Sequence, residues 1–375
     1  MSARFAAVSA TGDPASLAAQ CIAALPIVDG ATLGILYTTE PAAAALPDIA
    51  RALSEHTGIR SWVGGVGLGV CSASDEIFDE PAAVVMTAAL PPKDFRIFAA
   101  TGDPGADLPR SHAGWIEGTQ PVLALVHADP RCPDVQRAAV ETAAASGAYL
   151  VGGLVSHRCP NPLLARIGSD DGLGSNGIAG LLLAPGVSVA TALTQGCMPI
   201  GPVRRIDEAR DNVVMVIDGR PALAVFSEDI GPELTQDLRR VGGLIFAGLP
   251  VTGSDTGDYL VRNLVAIDAG RGWVVLGAEV AAGDRIVFCR RDPESARRDM
   301  SRMVRQLSGR LSGPPKAGIY VSCVARGAAL FGSPGVETGL IRETLGDFPL
   351  IGFFANGEIS RDRLYGHTGV LTLFT

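Results

Sequence analysis

The sequence lacks the signatures of several protein classes. Its 31 lysines and arginines against 39 aspartates and glutamates leave a formal charge of -8, so it has no basic field of the kind that nucleic acids or anionic membranes attract. It has no run of 18 apolar residues, the length a membrane-spanning helix needs. The apolar stretch near the start carries one basic residue, Arg4, and is broken by Gly12, Asp13 and Pro14, which does not fit a signal peptide. The seven cysteines (Cys21, Cys71, Cys132, Cys159, Cys197, Cys289 and Cys323) are odd in number and include no CxxC pair. That usage suits reduced thiols in a cytoplasm better than a disulfide framework. The five histidines stand on separate segments, with His157 and Cys159 the only close pair, so no metal site is expected. No GxxxxGK[ST] loop occurs, and the cluster Gly64, Gly65, Gly67, Gly69 has the wrong spacing and setting for a dinucleotide fingerprint. No cofactor is therefore expected.

What remains is a chain of 375 residues, 47% hydrophobic and 19% charged, with 46 glycines. At roughly 150 residues per domain this allows two domains or one large one with a sizeable core. One pattern recurs along it: an apolar strand, an amphipathic helix, then a strand with small residues. The first copy runs through TLGILYT (Thr32 to Thr38), LPDIARALSEHTG and WVGGVGLGV (Trp62 to Val70). The second runs from PVLALVHAD (Pro121 to Asp129) to YLVGGLVSH (Tyr149 to His157). A looser copy spans NVVMVID (Asn212 to Asp218) to VGGLIFAG (Val241 to Gly248), and a last one spans AGIYVSCVARG (Ala317 to Gly327) to PLIGFFANGEI (Pro349 to Ile359). The glycines Gly64, Gly152, Gly243 and Gly352 fall at matching places, and each copy is followed by another apolar strand. The fold class expected is α/β (mixed α+β), with two related halves of repeated β-α-β-β units and mixed sheets covered by helices. The segments GWVVLGAEV and DRIVFCRRD read as a hairpin, and Arg290 to Arg310 as an amphipathic helix burying Met300, Met303, Val304 and Leu307.

Charged residues set among apolar strand residues must be solvated or find a partner. Arg262 and Asn263 interrupt YLVRNLVAI, and Glu358 follows Ala355, Asn356 and Gly357. A guanidinium reads a carboxylate and a carboxylate reads an ammonium, so together they could hold both ends of an amino acid. The alternative is that these charges pair with one another or with Arg361 and Arg363. Cys323, with Arg326 three residues on, is the best local candidate for a nucleophile; its base would be His367 or Glu358. The candidate ligand-binding set is Arg262, Asn263, Glu358, Cys323, Arg326 and the strand glycines Gly64, Gly65, Gly152 and Gly153, with no catalytic set assigned.

In VGGVGLGVCS, YLVGGLVSH, QGCMPIGP and DGRPAL, and then in YLVRNLVAID, SCVARGAALFG and PLIGFFANGEI, the chain resembles the FIST family over nearly its whole length. The resemblance implies an N-terminal FIST domain over 31–220 and a C-terminal one over 221–375, after a lead-in of 1–30. It also implies a role in sensing small ligands, amino acids being the favoured suggestion. No catalytic set comes with it. Family members often carry a histidine close after a leucine and an aromatic; here LYGHTGV displaces it, and His367 takes no inherited role. The expected protein is a stand-alone cytoplasmic sensor, its output a separate signalling protein. The rival readings are a cysteine-dependent enzyme using Cys323 and a protein-interaction scaffold.

Overall fold

The computed structural model describes residues 4–156, 158–168, 172–251 and 258–375. The chain divides into two compact units: Met1–Thr194 with Met300–Leu364 and Thr368–Thr375, and Gln195–Asp299 with Tyr365–His367.

The first unit contains one supersecondary pattern three times. Each module has an edge strand, a helix, a strand, a second helix, a glycine-bearing strand, a protruding strand or hairpin, and a closing strand. In the first module the edge strand is Arg4–Thr11, the parallel strands are Leu33–Thr39 and Ser61–Gly67, and the closing strand is Ala82–Ala89. In the second the same roles fall to Phe95–Thr101, Leu123–Ala128, Tyr149–Leu154 and Gly177–Leu183. In the third they fall to Val189–Gln195, Ala317–Cys323, Leu350–Ala355 and Thr368–Phe374. The central strands are apolar and buried along their whole length, as strands covered on both faces should be. The helix between them in the first module, Leu46–Thr57, buries Leu46, Ile49, Ala50 and Leu53 at helical spacing and ends at Gly58, which adopts φ +73 and donates to the Ser54 carbonyl. In the second module Asp134 caps Val135–Ser146 by accepting from the Arg137 amide, and Gly147 ends it.

Each parallel pair has the same register, with Leu36 opposite Gly64, Val126 opposite Gly152 and Tyr320 opposite Gly352. A Cβ on these three glycines would lie 1.8, 1.8 and 1.7 Å from the partner residue's carbonyl oxygen. Gly64 and Gly152 also sit at φ +149 and +146. These positions therefore exclude side chains, which is why the glycine recurs.

No module completes its own sheet. The strand Gly69–Ser72 of the first module pairs with the third module's Leu350–Ala355. Leu163–Ile167 of the second pairs with the first module's Ser61–Gly67, and Glu358–Arg361 of the third pairs with the second module's Tyr149–Leu154. The exchange is cyclic. The inner faces of the three sheets share one core that includes Tyr37, Val70, Leu125, Val151, Val321 and Phe353. Burying each such side chain contributes about 1.5–3 kcal/mol. Helices cover the outer faces through three separate apolar clusters, the third built on Met300, Met303, Val304 and Leu307 of Pro293–Ser308.

In the second unit, Arg285–Arg291, Arg204–Arg210, Val213–Ile217, Trp273–Leu276, Tyr259–Asp268 and Ile245–Pro250 pair in that order, and the last pairs back onto the first. The ring is antiparallel throughout, and its core packs Ile206, Phe288 and Leu276 with Val225 and Phe226 of helix Ala222–Ile230. In the chain this unit lies between the third module's edge strand, ending at Gln195, and its first helix, starting at Pro293; the second module crosses the same step from Thr101 to Pro104.

The mixed α/β class with helix-covered mixed sheets is as the sequence indicated. Two details differ. The copy read at Asn212 to Gly248 is no β-α-β unit: its strands Val213–Ile217 and Ile245–Pro250 have other, antiparallel neighbours, and Gly243 occupies a turn at φ +71. Trp273–Leu276 and Arg285–Arg291 form no hairpin either, each pairing with other strands of the ring.

Candidate functional site

In sheets with parallel strands, ligands favour the carboxyl ends of those strands. Three acid–arginine pairs gather there, one between the first and second modules, one within the second and one within the third. Glu40 bonds Arg158 at 3.1 Å and accepts from the Ser156 hydroxyl. Asp129 holds Arg131 through both oxygens, at 2.7 Å to Nη2, and accepts from the amides of Arg131 and Asn176. In the third module Arg326 meets Glu337 at 2.7 Å, and both side chains are fully buried.

The third centre is the densest in hydrogen bonds. Glu337 Oε1 accepts from Arg326 Nε at 2.8 Å and from the Tyr320 hydroxyl at 2.6 Å, while Oε2 accepts from the Ser322 hydroxyl at 3.0 Å and the Gly327 amide at 3.3 Å. The strand Ala317–Cys323 supplies the hydroxyls, the turn after it the guanidinium, and the first turn of helix Val336–Leu345 the carboxylate. Burial works against the Arg326 charge, but the Glu337 carboxylate outweighs it and holds the guanidinium charged. Burial first, and then Glu337, keeps Tyr320 protonated.

Beside this centre lies Glu358, wholly buried opposite Gly153. Its Oε2 accepts from the Thr368 amide at 3.0 Å and hydroxyl at 2.7 Å, and the nearby Cys323 thiol also favours the ionised carboxylate. Burial pushes this carboxyl up to about 7, against the pull of those donors and of the Arg326 charge. The equivalent places in the other two exchanged strands, judged by register, hold Leu163 and Val70.

On the outer side Glu76 lies over the start of helix Val336–Leu345. The amides of Gly335, Glu337 and Thr338 draw its carboxyl toward ionisation, though neither oxygen closes a hydrogen bond of normal geometry. Burial and the neighbouring Glu337 charge outweigh them and push Glu76 up to about 7. Glu76 helps to wall an open cavity of about 530 Å³, lined also by Ser9, Gln20, Asp75, Glu80 and Gly335. Solvent therefore reaches the elements that hold Glu76 and Glu337.

The structure brings Cys323, Arg326, Glu358 and Gly153 into one neighbourhood. Gly64 and Gly152 serve the strand approach described above, and Gly65 packs against the Pro162 carbonyl and Val155. Arg262 and Asn263 belong to the other unit, on strand Tyr259–Asp268. Arg262 is half-buried, which lowers its pKa, and donates to the Val261 carbonyl at 3.0 Å; Asn263 is exposed. His157 lies outside the described residues. The sequence reading missed Glu337 and Glu76. Glu337 was detectable in one respect: it lies four residues before the buried Ile341, on the apolar stripe of its helix. A sequence-visible histidine, His127, proves to be core: its Nε2 lies 2.9 Å from the Tyr37 hydroxyl, and burial pushes its pKa down to about 3. Among the described residues, no three His, Cys, Asp or Glu side chains are placed to hold a metal ion, and no helix is long and apolar enough to cross a membrane.

The FIST N domain matches residues 32–220 and the FIST C domain residues 222–361. An uncharacterized protein of Mycobacterium tuberculosis is 30% identical over 343 residues, covering 87% of each chain. An uncharacterized protein of Mycobacterium bovis is 30% identical over 389 residues, covering 99% of this chain and 96% of the relative. The chain thus belongs to the FIST family, whose domains are associated with sensing in signal transduction.

Proposed function

We propose that this protein is a sensor that binds a small zwitterionic ligand, an amino acid, at the carboxyl ends of the third module's parallel strands, and passes the signal to a separate protein. The observation that carries this reading is the arrangement of charge: an open cavity walled by Asp75, Glu76 and Glu80, with the buried Arg326 and Glu337 beyond the helix start at Gly335. The carboxylates suit the ammonium of an amino acid, and Arg326 suits its carboxylate. Buried titratable groups with displaced pKa values, set beside a cleft, are candidates for functional sites. The glycines Gly327, Gly332 and Gly335, all at positive φ, divide the covering segment into pieces that can hinge.

The test is a thermal-shift screen against free amino acids, their N-acetyl forms and the corresponding amines. A ligand at about 100 times its dissociation constant adds about 2.7 kcal/mol, a shift of a few degrees. The expected result is a shift with free amino acids only, reduced in Glu76→Gln and lost in Arg326→Lys. Equal shifts with the N-acetyl forms, or none with any compound, would remove this reading. A second reading, a cysteine-dependent enzyme, draws on the Cys323 thiol's contact with Glu358. It predicts rapid alkylation of Cys323, whereas its 5% exposure predicts slow alkylation in a sensor.

A further inference from the structure

Strand Arg4–Thr11 ends the first sheet. It pairs on one side with Ala82–Ala89, in continuous register and without a bulge, and among the described residues no strand pairs with its other side. Exposed edges are commonly protected by lysine, proline, a bulge or an inward charge. This strand, RFAAVSAT, has a single charge at its first residue and none of the other devices. Glu76–Phe78 likewise ends the third sheet. Between these two edges lie an apolar cavity of about 510 Å³ and the acidic one of about 530 Å³, which share Ser9 and Ser74 in their walls. Phe5, Pro26, Phe348 and Leu350 help to line the first; Asp75, Glu76 and Glu80 help to line the second, and no lysine or arginine does.

We infer that this groove docks an extended peptide segment of a partner protein, added as a strand against Arg4–Thr11, with a bulky apolar residue at one end and a lysine or arginine at the other. The edge offers main-chain donors and acceptors over eight residues, about 26 Å at roughly 3.3 Å per residue. Main-chain pairing of this kind supplies affinity, and side-chain cavities supply specificity. The acidic end selects the basic residue by charge, and the apolar end takes the other anchor. This inference goes beyond the amino-acid reading and stands without it, because the peptide is titrated with no amino acid present.

The probe is fluorescein-Thr-Leu-Thr-Val-Thr-Lys-Thr-amide, labelled at its amino terminus, followed by fluorescence anisotropy on the full chain. Two control peptides replace the lysine by glutamate or N-methylate alternate amides. The expected result is saturable binding, weakened about tenfold or more by glutamate and abolished by N-methylation. Ser74→Trp, at an exposed residue shared by both cavities, should block binding without unfolding the chain. Glu80→Lys should reverse the preference between the lysine and glutamate peptides. No saturable binding, or equal binding of the N-methylated peptide, overturns the inference. So does a dimer in sedimentation that Ser74→Trp dissociates, since a second copy of the chain would then be the occupant.

Discussion

Three acid–arginine pairs gather near the carboxyl ends of the parallel strands, built differently and buried to different degrees: Glu40, directly after Leu33–Thr39, reaches Arg158 of the second module, Asp129 directly follows Leu123–Ala128, and the third acid, Glu337, comes from helix Val336–Leu345. The arginine side chain is 69% exposed in the first (Arg158), 34% in the second (Arg131) and 0% in the third (Arg326). An exposed pair gains little because water competes for both charges. A buried pair costs much in desolvation and persists only when its remaining hydrogen-bonding capacity is met. Glu337 achieves this with Tyr320, Ser322 and the Gly327 amide. The strand ends thus gather charges by different routes, while local covering decides whether they are solvent-facing or part of a dry centre.

Removing the arginines one at a time would sharpen that contrast. Arg326→Ala leaves Glu337 buried with a lone charge and should cost about 3–5 kcal/mol in urea unfolding. A cost near that of a surface change would show that the centre is wetter than its burial indicates. The glycines test the equivalence of the modules themselves. Alanine at Gly64, Gly152 or Gly352 meets a carbonyl oxygen in each case and should cost about 3 kcal/mol at every site. One tolerant site among the three would break the repeat.

The third centre should also make stability depend on pH. Glu358 and Glu76 both rise from 4.5 to about 7, so the folded chain holds these protons more tightly than the unfolded one. Below about pH 4.5 both states are protonated and there is no penalty. Between about 4.5 and 7 only the unfolded state ionises, and stability falls; above about 7 the loss levels off. Each group should contribute about 2–3 kcal/mol to that decline. Urea titrations at pH 5 and pH 8 would measure it, and Glu358→Gln should remove about half. An unchanged slope in the variant would place the titration elsewhere. Smaller effects complete the series: about 1–3 kcal/mol for Arg131→Ala, which strands the buried Asp129, and below about 1 kcal/mol for Arg158→Ala.

Local pattern made much of the fold legible. Buried apolar runs gave the central strands, periodicity gave helices such as Leu46–Thr57 and Pro293–Ser308, and the recurring glycine marked a real steric constraint at Gly64, Gly152 and Gly352. Gly243 shows the limit of that signal, because a turn and a crowded strand both select glycine. The edge strands were harder to read: Arg4–Thr11 and Val189–Gln195 contain too few bulky residues to stand out. Strand exchange was invisible, since pairing between distant segments leaves no periodic mark on either. In the site, Glu358 was noticeable as a charge among small and apolar residues, and Cys323 and Arg326 by proximity in sequence. Glu76 and Glu337 carried weaker marks, because a carboxylate at a strand or helix start is ordinarily solvated.

The cyclic exchange of strands has a consequence for synthesis. As the chain emerges from the ribosome, the second sheet has its own strands by Leu183 but waits for Glu358–Arg361, and the third sheet uses Gly69–Ser72, made long before its own strands. Native closure is therefore delayed until Glu358–Arg361 has been translated, and Tyr149–Leu154 spends that interval with an open hydrogen-bonding edge. Interrupting translation before Glu358 should yield sticky, protease-sensitive nascent chains rather than a folded second sheet.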